Sequence, residues 1–400
     1  MSTASVAPSY RALFAEPVLR RLAVADAFAR LPQGMVSITV LLVAAEHASM
    51  AVAGLAVAGY TLGQAVTGPV RGRLADRHGL VPVAAICGTA YALALLALLA
   101  GAMAGAPAGL LIATAAAAGL VNPPLSPGLR SLWSVHAGAG LAPTAFALDA
   151  AVMNLGYIAG PVLASALAAG LAPAAALGLL LALTGAATVI IGRQPHRPQP
   201  PPARTPRARP PRGLRRLMLT AALVNAALSA SEVALTGYVR HHHALWASGP
   251  LLAEVSIRSI LGSLLLGARS GTGARSGAGA RSLLALLAGY AAGLALLTAA
   301  GLDAPLLAVA APLAGFCLGP ALAALFGQAA NAAPPGGGTE AQAWLNSIMN
   351  AGGAAGAALA GVASGQPVLA LGLSFALAVA AAACATTGSG DTEARTSPVR

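Results

Sequence analysis

Six side chains that ionise in water interrupt stretches of sequence that are otherwise apolar: Asp26, Arg30, Asp149, Glu232, Glu254 and Arg258. Near the centre of a bilayer each charge would cost roughly 2.5–3.5 kcal/mol, so each must face a protein interior or a water-filled cavity. Asp26 and Arg30 stand four residues apart, acid before base, a spacing that lets the two pair on one helix face. Glu254 and Arg258 repeat that spacing, whereas Asp149 and Glu232 have no such partner on their own stretch. Burial favours the neutral carboxyl and a nearby guanidinium favours the ionised one, so a moving arginine can load or release a proton. The chemistry implied is proton exchange, with Asp149 and Glu232 as the expected titrating groups. The alternative is a set of ion pairs that only orient helices.

Twelve apolar stretches must position these groups, at about 20–44, 51–70, 81–104, 107–129, 142–168, 172–192, 217–238, 246–267, 282–301, 305–327, 340–363 and 366–387. Each holds about twenty residues, and a helix rising ~1.5 Å per residue then crosses ~30 Å of hydrocarbon. The same rise sets Asp26 and Asp149 about 10 Å from one membrane edge, and Arg30 and Asn154 near the midplane. Glu232 and Glu254 fall in the opposite half, with Arg258 one turn deeper.

Arginine marks which edge is which. Of 23 basic side chains none is lysine, and the arginines gather before the first stretch, in the even-numbered gaps and in the tail. Arg130 is assigned to the fourth gap, and Arg240 is the one arginine of the odd-numbered gaps. Basic residues are retained on the cytoplasmic side during insertion, so both termini are expected there. A multi-pass protein of the cell's inner (plasma) membrane follows, and the first stretch reads as a retained anchor rather than a signal peptide.

Composition excludes other classes. Hydrophobic residues make up 57% and charged residues 8% of the chain, against about a quarter charged in soluble domains. The net charge of +12 does not imply nucleic-acid binding, because aromatics are 4% and do not flank the arginines as stacking partners. Without lysine there is no phosphate-binding loop of the Gly-x-x-x-x-Gly-Lys type. No nucleophile–base arrangement suggests catalysis, so no enzyme and no cofactor are expected. Cys87, Cys317 and Cys384 are isolated and fit neither a disulfide framework nor zinc. His241, His242 and His243 read as an exposed polar loop, since adjacent histidines share a tetrahedral site poorly.

Residues 193–216 are rich in arginine and proline and read as a solvated tether. It divides the chain into residues 1–192 and 217–400, each with six stretches, as an internal duplication would. The expected fold is an all-α polytopic membrane protein with twelve transmembrane helices in two pseudo-symmetric six-helix bundles.

Between the second and third stretches runs Gly72-Arg73-Leu74-Ala75-Asp76-Arg77-His78-Gly79, a tight turn with one acid among arginines. In that place it resembles the signature loop of the major facilitator superfamily, although Leu80 and Val81 stand where the family usually has basic residues. Gly156-Tyr157-Ile158-Ala159-Gly160-Pro161 looks like the core of the family's antiporter-type motif, with Ala147 and Ala164 in place of expected glycines. Gly156 and Gly160 share a face for close helix approach, and Pro161 removes a helical hydrogen bond. Arg30–Met35 and Glu340–Asn346 are also similar to segments of bacterial exporters of the drug:proton antiporter type.

The resemblance implies alternating access, with a small hydrophobic or weakly polar molecule exported against entering protons. A facilitator or importer of the same fold, or a transport-inactive sensor or scaffold, is the alternative. The expected partners are that substrate, protons and the lipid bilayer; the sequence is compatible with a monomer and does not set the oligomeric state. Thr339-Glu340-Ala341-Gln342 has capping-box spacing at the start of the eleventh stretch. The resemblance places the acid of the loop near that start, so Asp76 is expected to meet the helix's positive end.

Overall fold

The computed structural model describes residues 7–46, 48–193, 212–241, 248–270, 278–299, 304–334, 336–363 and 366–386. Fourteen helices run through them: α1 (Ala7–Ala15), α2 (Pro17–Ala45), α3 (Met50–His78), α4 (Leu80–Met103), α5 (Ala108–Leu120), α6 (Leu125–His136), α7 (Gly138–Gly170), α8 (Pro173–Gly192), α9 (Arg212–His241), α10 (Ser248–Ser270), α11 (Ala278–Ala299), α12 (Ala304–Ala332), α13 (Gly338–Val362) and α14 (Pro367–Thr386). The fold is all-helical, as the composition requires. Nine helical segments among the described residues are long and apolar enough to cross a membrane. The longer but more polar α3 and α13, together with α10, complete the twelve spans.

Local chemistry sets the boundaries. Proline opens α2, α8 and α14 at the first helical position, where its missing N–H costs nothing. Ser49 caps α3 by accepting from the Val52 amide at 3.4 Å. The α3–α4 turn is a single residue, Gly79, at φ +92°, a left-handed conformation that a side chain would strain. Two expected boundaries are corrected. Residues 212–216 belong to α9 and not to the tether. The fourth span does not end at 129: Asn122-Pro123-Pro124 breaks it, because two prolines cannot donate to the preceding turn, and α6 then carries it on to His136.

The two halves repeat one packing scheme. In the first, α2 packs on α7 and α8, and α5 on α3 and α4; in the second, α9 packs on α13 and α14, and α12 on α10 and α11. Between the halves the main contacts are α7 with α10 and α3 with α13, again a matched pair. The apolar core is shared unevenly along the membrane normal. Toward the face that bears the α3–α4 turn, here termed the arginine-rich face, one buried cluster joins both halves, from Leu22 and Phe146 to Leu325 and Phe326. Toward the opposite face the core divides into separate clusters, one around Val40, Leu95 and Leu177 and the other around Leu235 and Leu371. The halves are sealed together at one face and parted at the other.

Candidate functional site

Within the sealed part lie four fully buried charges. Arg30 donates from Nε to Asp26 Oδ1 at 3.1 Å, the same-helix pair that the spacing predicts, and from Nη2 to Asp149 Oδ1. Arg130 donates from Nε to Asp149 Oδ2 at 2.9 Å and from Nη2 to the Met153 sulfur at 3.3 Å. Two acids and two guanidiniums balance, which is the condition under which buried charges persist. Two atoms stay unmatched: Asp26 Oδ2 and Arg130 Nη1 are buried with no hydrogen-bond partner.

This cluster reaches both the other half and a cavity. The Arg130 guanidinium lies 3.4 Å over the ring of Phe326 on α12, a cation–π contact between halves. Arg30 also donates to Gln33 Oε1 at 3.2 Å; that oxygen accepts from Ser126 Oγ at 2.9 Å, and Gln33 Nε2 donates to the Tyr157 hydroxyl at 3.3 Å. Tyr157 and Glu232 are exposed.

At the arginine-rich face Asp76 closes the seam between α3 and α13. The amides of Thr339 and Glu340 donate to its two carboxylate oxygens, at 3.0 and 2.8 Å. The expected meeting with the positive end of this helix is present, and the carboxylate occupies the place where helix amides lack partners. The local capping box does not form: Thr339 already lies inside α13, and Gln342 Nε2 instead donates to the Phe326 carbonyl at 2.9 Å. Arg73 adds an ion pair with Glu340, its Nε at 2.9 Å from Oε1. Burial pushes the Asp76 carboxyl above its ordinary pKa, and the two amides pull it back. The helices can meet this closely because position 72 is glycine; a Cβ there would stand 2.8 Å from the Ala343 Cβ and 2.9 Å from the Thr339 carbonyl oxygen. Arg77 is exposed beyond the seam.

Gly156 and Gly160 serve the crossing of α7 with α2. A Cβ on Gly156 would lie 2.7 Å from the Arg30 carbonyl oxygen, and one on Gly160 2.5 Å from the Gly34 carbonyl carbon. The crossing therefore sets the backbone of Arg30 against the helix that carries Asp149. Pro161 lies inside α7, which runs on through it.

The family model described as "Major Facilitator Superfamily" matches residues 22–357, most of the chain. The chain belongs to this superfamily. Solved superfamily structures align over nearly the whole molecule at low identity. The human organic anion transporter MFSD10 (TETRAN) has a TM-score of 0.74 at 15% identity, with 94% of this chain and 99% of that one covered. A bacterial homologue of the iron transporter ferroportin, in an outward-facing state, has 0.72 at 15% identity, covering 93% and 99%. The E. coli fucose:proton symporter FucP has 0.70 at 13%, covering 91% and 98%. No curated protein matches the sequence. Membership makes the chain a membrane transporter and not an enzyme.

Against the superfamily fold the expected site residues sort as follows. Asp26, Arg30 and Asp149 come together. Asp149, which has no partner on its own stretch, accepts from two arginines on other helices. Asn154 stays apart from the cluster, its amide donating to the Ala150 carbonyl at 2.8 Å. Arg258 lies on α10, while the Glu254 side chain and residues 242–247, including His242 and His243, lie outside what is described. Arg130 was assigned to a loop and proves a buried member of the cluster; the signal for it was the Pro123-Pro124 pair, which breaks the helix early and lets the span run past position 129. Arg71, also assigned to a loop, is buried on α3.

Proposed function

We propose that this transporter exports a small hydrophobic or weakly polar molecule in exchange for protons, with both termini cytoplasmic and the arginine-rich face inward. The four-charge cluster is the coupling element, and the observation that carries this is the unpartnered Asp26 Oδ2, the one carboxylate oxygen of the cluster without a hydrogen-bond partner. Asp149 is held by two arginines and stays ionised. Asp26 is held by one, and its free oxygen is where a proton can sit. Protonating it leaves the cluster with an excess positive charge in a dry site, which disfavours the sealed packing around Arg130 and Phe326. The seal then yields, and the cavity opens to the cytoplasm. Gln33 links the cluster by hydrogen bonds to the exposed Tyr157 and offers the proton its path. With the arginine-rich face taken as inward, the shared core at that face supports an outward-facing reading, the state in which an exporter exchanges cargo for protons.

The test is transport in proteoliposomes under an imposed pH gradient, with a panel of hydrophobic and weakly polar compounds. Asp26→Asn is expected to lose gradient-driven transport at least ~10-fold, which corresponds to about 1.4 kcal/mol, while exchange without a gradient continues. Transport that remains fully proton-dependent in Asp26→Asn would remove Asp26 from the coupling role.

The seam at Asp76 serves as the inward gate. Hydrogen bonds to a charged group contribute about 1.5–3 kcal/mol, and Asp76→Asn gives up the charge and one of two acceptors. Transport should fall roughly tenfold or more by that energy, with the amount of protein in the membrane unchanged. Wild-type transport by this variant would show that the gate closes without Asp76.

A further inference from the structure

Arg71 breaks a habit of membrane arginines. It sits two turns before the arginine-rich end of α3, from which a long side chain can snorkel outward to water. It does the reverse. Its Nη2 donates at 3.0 Å to the carbonyl of Gln64, seven residues earlier and therefore about 10 Å deeper along the helix. The side chain is 93% buried by area (7% exposed), and its Nε has no hydrogen-bond partner. Among the described residues no carboxylate pairs with it. The two acids of the same seam are engaged elsewhere, Asp76 with the α13 amides and Glu340 with Arg73.

The guanidinium faces a small cavity of about 60 Å³ between the halves. Gln33, Gln64 and Ser126 line it from the first half, Asn346 and Ser347 from α13, and no acid is among its walls. Gly68 opens the space next to Arg71: a Cβ there would lie 2.6 Å from Ser347 Oγ and 4.0 Å from Arg71 Nη2. An unbalanced cation, an unused N–H and a ring of neutral hydrogen-bonding groups meet in a space the size of one small polar group. We propose that this pocket binds a small oxyanionic group, a carboxylate or a phosphate, held by Arg71 with Ser347 and Asn346 of the opposite half. Because donors come from both halves, the bound anion holds α3 against α13 and favours the state sealed at the arginine-rich face, by its differential affinity for that state. The inference goes beyond proton-driven export; only the identity of the anion as cargo would rest on that reading.

Two sources can supply such a group, a soluble molecule or the headgroup of an acidic phospholipid, and one binding experiment separates them. The full chain is purified in a maltoside detergent, which carries no phosphate, and its thermal midpoint is followed while sodium acetate, inorganic phosphate or phosphatidylglycerol is added. Ligand that binds only the folded state raises the midpoint saturably. A rise with acetate or inorganic phosphate that is lost in Arg71→Gln supports a soluble anion; a rise with phosphatidylglycerol alone, lost in the same variant, supports a lipid headgroup. Arg71→Gln should also melt above the wild type when no small anion is present, since it removes an uncompensated charge. Should that variant fail to accumulate, Gly68→Ala fills the space and keeps the arginine, and its response should vanish likewise. Equal responses in the wild type and both variants, or no response to any of the three additions, would overturn the site. The readout is binding alone, so a failure of proton-driven transport leaves it intact.

Discussion

Asp149→Ala is expected to be the most damaging single change in the molecule. It leaves Arg30 and Arg130 buried with Asp26 as the cluster's remaining acid, and Asp26 is ion-paired with Arg30. Removing one partner from a buried ion pair costs about 3–5 kcal/mol, because the abandoned charge keeps its desolvation penalty. The variant should melt well below the wild type in detergent and accumulate poorly. Charge balance supplies the decisive control. Asp149→Ala combined with Arg130→Leu restores one acid to one base, and leucine suits a site packed on the Phe326 ring. The double variant should recover much of the lost stability while remaining unable to transport, since the link to Phe326 is gone. A single variant as stable as the wild type, or a double variant no better than the single, would show that the cluster is not held by its balance of charge.

Gly156→Val should act through backbone rather than charge, with a comparable loss. The first atom of any side chain at 156 would sit 2.7 Å from the Arg30 carbonyl oxygen, and a helix backbone cannot step aside as a flexible side chain can. Overpacking of this kind costs about 1–3 kcal/mol, and here it also forces α2 and α7 apart. That separation draws Arg30 away from Asp149, so transport should fall far more than stability. Gly178→Ala on α8 is the matched control: a Cβ there meets nothing within 4 Å. Alanine is favoured over glycine in a helix interior by up to about 1 kcal/mol, so this control should melt at or slightly above the wild type. If Gly156→Val transports normally, the close crossing is dispensable and the cluster's geometry is set elsewhere.

The family resemblance supplied the signature loop, and hydrophobic length made the spans and their number legible in the amino-acid order alone. These are properties of a helix considered by itself or of a helix facing lipid. Asp26–Arg30 was legible for the same reason, since both residues share one helix. Asp149 was not. Its two partners come from α2 and α6, and only the Gly34–Gly156–Gly160 crossing and the Pro123-Pro124 break bring them to it. Arg130 illustrates the cost of reading an arginine by its position alone: about two more turns of helix beyond the expected end turn a topological marker into a core charge. Arg71 misleads in the same way, because the direction of a side chain along its helix is invisible to a count of gaps. The capping box at 339–342 had correct spacing and the wrong partner; Asp76, 263 residues away from Thr339, reaches the amides first.

The lopsided core has a thermal meaning. At the arginine-rich face the two halves adhere through apolar surface that belongs to both, whereas at the far face each half keeps its oil to itself. Turning the molecule over therefore requires wetting one greasy lip, and the free energy of that step carries the large heat-capacity change of hydrocarbon exposed to water. Adhesion of this origin weakens on cooling, so the balance between the two orientations is tied to temperature as well as to cargo and protons.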